Sequence, residues 1–180
     1  MKKILLLTLG LVFITACNND DDIITDPPVQ SFDYNENLSG DLANTNTTPT
    51  VLAFVGGQNT VTATQSSSDV DYFTFTVPIG YELTQIIVED YQSSDDAGFI
   101  GIVNGNTFPT DAINTNASDL LGGLVYGVSN RGSDILTNMG SLNGAQGFTG
   151  ALPAGDYSIW LNQTGAASET TLNFRITKSN

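Results

Sequence analysis

Between Val70 and Val77 the chain alternates strictly: Phe73, Phe75 and Val77 fall on one side of an extended segment, with Tyr72, Thr74 and Thr76 on the other. Only a pleated strand presents residues at period two. Leu172, Phe174 and Ile176 repeat the pattern near the end of the chain, and so do Tyr157, Ile159 and Leu161. Leu83–Tyr91 is more continuously apolar around Ile86-Ile87-Val88, as in a strand covered on both faces. Phe99–Val103 and Leu120–Val128 read as further strands, and no long stretch repeats at the helical period. Turn residues separate the runs, among them Pro78-Ile79-Gly80 and Leu152-Pro153-Ala154-Gly155. Ser133-Asp134-Ile135-Leu136 is suited to cap and open a single helical turn before Gly140. The expected fold is all-β: an antiparallel β-sandwich of Greek-key or jelly-roll type, with about eight strands and at most one or two short helical turns.

The N-terminus follows a different logic. Lys2 and Lys3 precede an apolar run from Ile4 to Ala16 that ends at Cys17. Crossing a bilayer takes about 20 apolar residues, whereas the apolar core of an export signal needs about 7–15. The run therefore reads as a cleaved signal over residues 1–16. Ile14-Thr15-Ala16-Cys17 resembles the lipobox of bacterial lipoproteins, which implies diacylglyceryl attachment at Cys17 and a mature chain beginning there. Cys17 is the only cysteine of the sequence, so it has no disulfide partner within the chain. Asn18-Asn19-Asp20-Asp21-Asp22 then resembles the acidic export signal of Bacteroidetes surface lipoproteins. This implies lipid-anchored display on the outer membrane, facing the cell exterior. Residues 17–34, with Asp26-Pro27-Pro28, read as a tether, and residues 35–180 as one domain.

Charge and composition narrow the chemistry. The formal net charge is −14, and it becomes more negative once Lys2 and Lys3 leave with the signal. Nucleic-acid binding, which needs a basic face, is excluded as an expectation. The sequence has no histidine, so His-dependent triads and Cys/His zinc sites are excluded as well. Carboxylate pairs of the glycosidase kind remain formally open, but no spacing selects one, and the expectation is a protein that is not an enzyme.

Asp69-Val70-Asp71-Tyr72-Phe73-Thr74-Phe75, followed by Leu152-Pro153-Ala154-Gly155-Asp156-Tyr157-Ser158-Ile159-Trp160, resembles the bacterial pre-peptidase C-terminal domain, a compact β-sandwich. The lead-in segment Asn35–Leu42 fits the same pattern, and the likeness spans about residues 35–177. A longer middle, about Gly98–Gly150, and the lack of an attached protease depart from it. Calcium takes oxygen ligands from carboxylates, amides and carbonyls. Related sandwich domains hold calcium between such a lead-in segment and the Asp-x-Asp strand. The resemblance thus implies a structural calcium at Glu36, Asn37, Asp41, Asp69 and Asp71, residues that otherwise read as turn formers and solvated charges. Asp90, Asp95 and Asp96 read as a solvated loop.

Trp160, with Tyr72 and Tyr126, is the aromatic candidate for a ligand surface, because Trp160 alternates with the core-facing residues of its strand. The competing reading is that both faces of that strand are covered and Trp160 is packed. The expected function is a lipid-anchored surface module for binding or adhesion, recognising polysaccharide or protein. A structural or accessory subunit of a cell-envelope assembly is the alternative.

Overall fold

The computed structural model describes residues 30–180. The signal segment, Cys17 and the acidic cluster Asp20–Asp22 lie outside the described residues. Nine strands form two sheets: β1 (Gln30–Asn35), β2 (Thr50–Val51), β3 (Gly57–Gln65), β4 (Asp71–Val77), β5 (Tyr81–Gln92), β6 (Gly98–Asn104), β7 (Gly122–Tyr126), β8 (Gly155–Gln163) and β9 (Ser168–Lys178). One sheet has the order β1-β3-β9-β5 and the other β2-β4-β8-β6-β7. The pairings are antiparallel except at two edges, where β1 runs parallel to β3 and β2 parallel to β4. Two single helical turns complete the set, α1 (Glu36–Ser39) and α2 (Leu136–Met139), and the protein is an all-β sandwich.

The alternation read from the sequence is what closes the sandwich. Phe73, Phe75, Ile159, Leu161, Leu172, Phe174 and Ile176 all point between the sheets and are buried. The Phe174 ring lies edge-on to Phe73, with centroids 5.7 Å apart. Aromatic side chains thus fill the core between β4 and β9, where each buries a large apolar area.

Three features differ from the sequence reading. The segment assigned to the tether contributes β1 from Gln30, because Phe32 and Tyr34 alternate and pack on the core while the backbone pairs with β3. The folded part thus includes residues 30–34. The strand expected over Leu120–Val128 is shorter, since Val128 opens a 3-10 turn. The long middle is also well structured. Its 105–121 portion folds over the outer face of the five-stranded sheet, and Gly132–Ile135 covers the free edge of β5 through hydrogen bonds with Ile86 and Val88. Covering that edge removes an unpaired row of backbone groups. The expected helical turn forms as α2; its N-cap is Ile135, and Asp134, one residue earlier, accepts from the Leu136 N–H through Oδ1 at 3.0 Å.

Candidate functional site

The site is assembled where β1 ends and β3 crosses to β4. Asn35 caps α1 by accepting a hydrogen bond from the Asn37 N–H at 2.9 Å. Gly40, at φ 103°, ends the turn in a conformation that side-chain-bearing residues rarely adopt. This one turn places Glu36 inward and Asp41 beside it. On the other side, Ser66 and Asp69 exchange backbone hydrogen bonds across Ser67-Ser68, a tight reversal that delivers Asp71 to the first position of β4.

Glu36, Asp41 and Asp71 thereby converge, with one carboxylate oxygen from each lying within 4.8 Å of the others. Glu36 and Asp71 are buried and Asp41 is exposed. Both Glu36 oxygens are engaged: Oε1 accepts from the Leu42 N–H at 2.9 Å, and Oε2 accepts from the Thr64 N–H at 2.6 Å and the Thr64 hydroxyl at 3.1 Å. Asp71 is fully buried, and its Oδ2 accepts from Gln65 Nε2 at 2.9 Å. Its Oδ1 has no partner among the described residues.

The electrostatics are those of an unneutralised cluster. Burial, and next the charge of Glu36, push the Asp71 carboxyl up to about 8 against the opposing hydrogen bond from Gln65. Burial likewise raises Glu36, although the Thr64 and Leu42 N–H groups pull the other way. The Tyr34 phenol is raised by burial and by the charges of Glu36, Asp41 and Asp71. The one ion pair among the described residues joins Arg131 to Asp90 at 2.8 Å, so no basic side chain balances the cluster.

A buried, ionised carboxylate oxygen without a donor is strongly disfavoured. Three carboxylates converge here, and one presents a buried oxygen with no donor among the described residues. Of the five residues expected to bind the ion, Glu36, Asp41 and Asp71 are brought together. Asp69 lies beside them without joining the set; burial and the charge of Asp41 raise its carboxyl against the opposing pull of the Asn44 side chain, whose amide N–H donates to Asp41 Oδ2 at 3.4 Å. Asn37 turns away and donates to Glu169 Oε2 at 3.3 Å.

The aromatic candidates are corrected by packing. Trp160, Tyr72 and Tyr126 are only 7%, 2% and 1% exposed, so none offers a surface stacking platform. Trp160 and Tyr72 do occupy the outer face of their sheet, but Phe108 and Leu120 from the long middle cover them in a second core. Phe108 lies edge-on to Trp160 at 5.9 Å. Tyr126 instead faces the main core and packs edge-on against Tyr91. The acids read as a solvated loop are structural as well: Asp95 accepts from the Ala166 N–H, the Ala97 N–H and Gln163 Nε2, and Asp96 accepts from the Val128 N–H. Backbone donors reaching back from residues 128 and 166 are not visible as a local motif.

No family model matches the chain, and no curated protein matches it. The resemblance to the pre-peptidase C-terminal domain therefore rests on its two motifs, and the site is read on its own geometry.

Proposed function

We propose that the chain is a lipid-anchored, surface-displayed module for binding or adhesion whose N-terminal end is ordered by calcium. The observation that carries this reading is the unpartnered, fully buried Asp71 Oδ1 within a three-carboxylate cluster that has no basic neighbour. Glu36 leaves β1 and bonds to Thr64 of β3, whereas Asp71 opens β4 in the opposite sheet, so a bound cation would tie the sheets together. A structural ion is the better reading than an acid–base pair because both oxygens of Glu36 are held by donors and none is free to exchange a proton with a substrate. The lipobox-like sequence at Cys17 and the acidic run after it support outer-surface display. The pre-peptidase-like motifs bear on the fold and leave the ligand open.

The test is calcium titration by calorimetry on the parent and on Asp71→Asn. Saturable binding of one ion to the parent, with loss in the variant, is the expected result. Absence of heat in both would remove the metal from the reading.

A further inference from the structure

Beside the acidic cluster, but distinct from it, lies an open groove of about 500 Å³, within the usual range for small-molecule sites. The segments around Asn44–Asn46 and Asp111–Ile113 line it, together with Ser68, Asn162 and Thr164. Tyr72 lies in its floor, 2% exposed and packed against Phe108 and Trp160, so it shapes the groove without presenting a surface of its own. Ile113, at 93% exposure, adds an apolar patch.

From this lining we infer that the groove binds a neutral saccharide chain, and that calcium at the Glu36–Asp41–Asp71 cluster sets the position of one of its walls.

The chemistry of the lining selects the ligand. Side-chain amides and hydroxyls both donate and accept, as sugar hydroxyls do, and Val70, Ala112 and Ile113 supply the apolar contacts that a pyranose face needs. No lysine or arginine lines the groove, and Asp111 does, so an anionic polymer finds no counter-charge. The floor is the outer face of a sheet and not a free strand edge, so a peptide has no ladder to extend.

The coupling runs through Asn44. Its Oδ1 accepts from the Val70 N–H at 3.1 Å, and its Nδ2 donates to Asp41 Oδ2 at 3.4 Å. Next to it, the Ala43 carbonyl accepts from the Tyr72 N–H at 2.8 Å. The wall is thus pinned at one end by an acid of the cluster and at the other by the groove's own tyrosine. Repulsion within a metal-free cluster acts directly on this wall, and a bound cation relieves it. This second half of the inference rests on the calcium reading proposed above.

The experiment is affinity electrophoresis of the full mature chain through gels containing a β-glucan, an α-mannan, a xylan or, as a polyanion, alginate. Each gel is run in calcium and in chelator, with thermal unfolding measured in parallel. At least one neutral polymer should retard the protein in calcium and alginate should not. Chelator should weaken the retardation at least tenfold at a temperature where the protein remains folded. Asn162→Ala/Thr164→Ala, which changes two residues outside the main core, should weaken it tenfold without moving the unfolding midpoint. No retardation by any neutral polymer, or retardation that survives the double substitution, would overturn the groove assignment even if calcium still stabilises the fold. Retardation equal in calcium and chelator would overturn the coupling. Failure of calcium to move the midpoint would instead count against the metal reading itself.

Discussion

Asp71→Asn gives the sharpest test of the acidic site, because its effect should change sign with the metal. The Asp71 carboxyl lies at about 8 in the fold against 3.8 as its ordinary value. A carboxyl raised on folding stabilises the protein fully below its unfolded value, and that contribution is lost as pH climbs through the folded value. In chelator, the parent should therefore lose stability steadily from about pH 4 to pH 8. At about 1.4 kcal/mol per pH unit, the loss is on the order of 5 kcal/mol at the upper end. In a domain of this size that corresponds to a midpoint lower by roughly 10–20 °C. The asparagine variant keeps an acceptor for Gln65 and gains an amide donor where Oδ1 had none, so its pH dependence over this window should flatten. At pH 8 in chelator it should melt above the parent. Calcium at 100 times its dissociation constant should add about 2.7 kcal/mol to the parent and nothing to the variant. Circular dichroism melts of both proteins from pH 4 to 8, with calcium and with chelator, decide the matter. A variant that melts below the parent in chelator at pH 8, or that keeps the parent's slope, would refute the assignment of an uncompensated buried charge.

Other perturbations probe separate parts of the reading. Phe108→Ala should lower stability by about 3–5 kcal/mol and shift the fluorescence of Trp160, the only tryptophan, to longer wavelength as water reaches the second core; unchanged emission would contradict that packing. Gly127→Ala places a Cβ against the backbone and side chain of Asp96 and should cost about 1–3 kcal/mol by overpacking, measured by urea denaturation. Replacing Asp95 with Ala should lower the unfolding midpoint and increase amide exchange at Ala97 and Ala166, whose N–H groups it accepts. Cys17→Ser should move the exported protein from the membrane to the soluble fraction; membrane retention of the variant would count against lipid anchoring.

Strands whose inward set is aromatic or aliphatic were legible from the sequence, as β4, β8 and β9 show. β3 was not, because its inward positions are Asn59, Val61, Ala63 and Gln65, an alternation with little hydrophobic contrast. Asn59 is buried by satisfying its amide, donating to the Val55 and Phe174 carbonyls and accepting from the Val55 N–H. Such a residue looks like loop in one dimension. β1 was hidden by the prolines before it and by its short length, and β2 has only two residues. The same limit explains Trp160: nothing near it announces that Phe108, far away in the chain, will cover it. Within the acidic set, sequence spacing found the neighbourhood, but the direction of each side chain was fixed by long-range pairing. Glu36 is turned inward by Thr64 and Leu42, and Asn37, one residue on, is turned outward to Glu169.

The placement of the site gives the calcium reading its physical sense. The sheets of a sandwich are held together mainly by apolar contact across the core, and here the buried aromatics centre between β4 and β9, reaching β1 through half-buried Phe32 against Phe54. β1 pairs only with β3, in the parallel arrangement, and sits at a sheet edge. Parallel pairing is slightly less stable per residue, and an edge strand has one neighbour instead of two. Glu36 follows β1 directly, and Asp71 belongs to the other sheet. A cation held between them would fasten the least supported strand of one sheet to the crossover into the other. Without the cation, the same carboxylates repel one another once Asp71 ionises, as pH rises through about 8. A cation there would act on an edge strand with a single neighbour, and its removal should loosen β1 and the 40–48 segment before the β4–β8 and β5–β9 pairs respond.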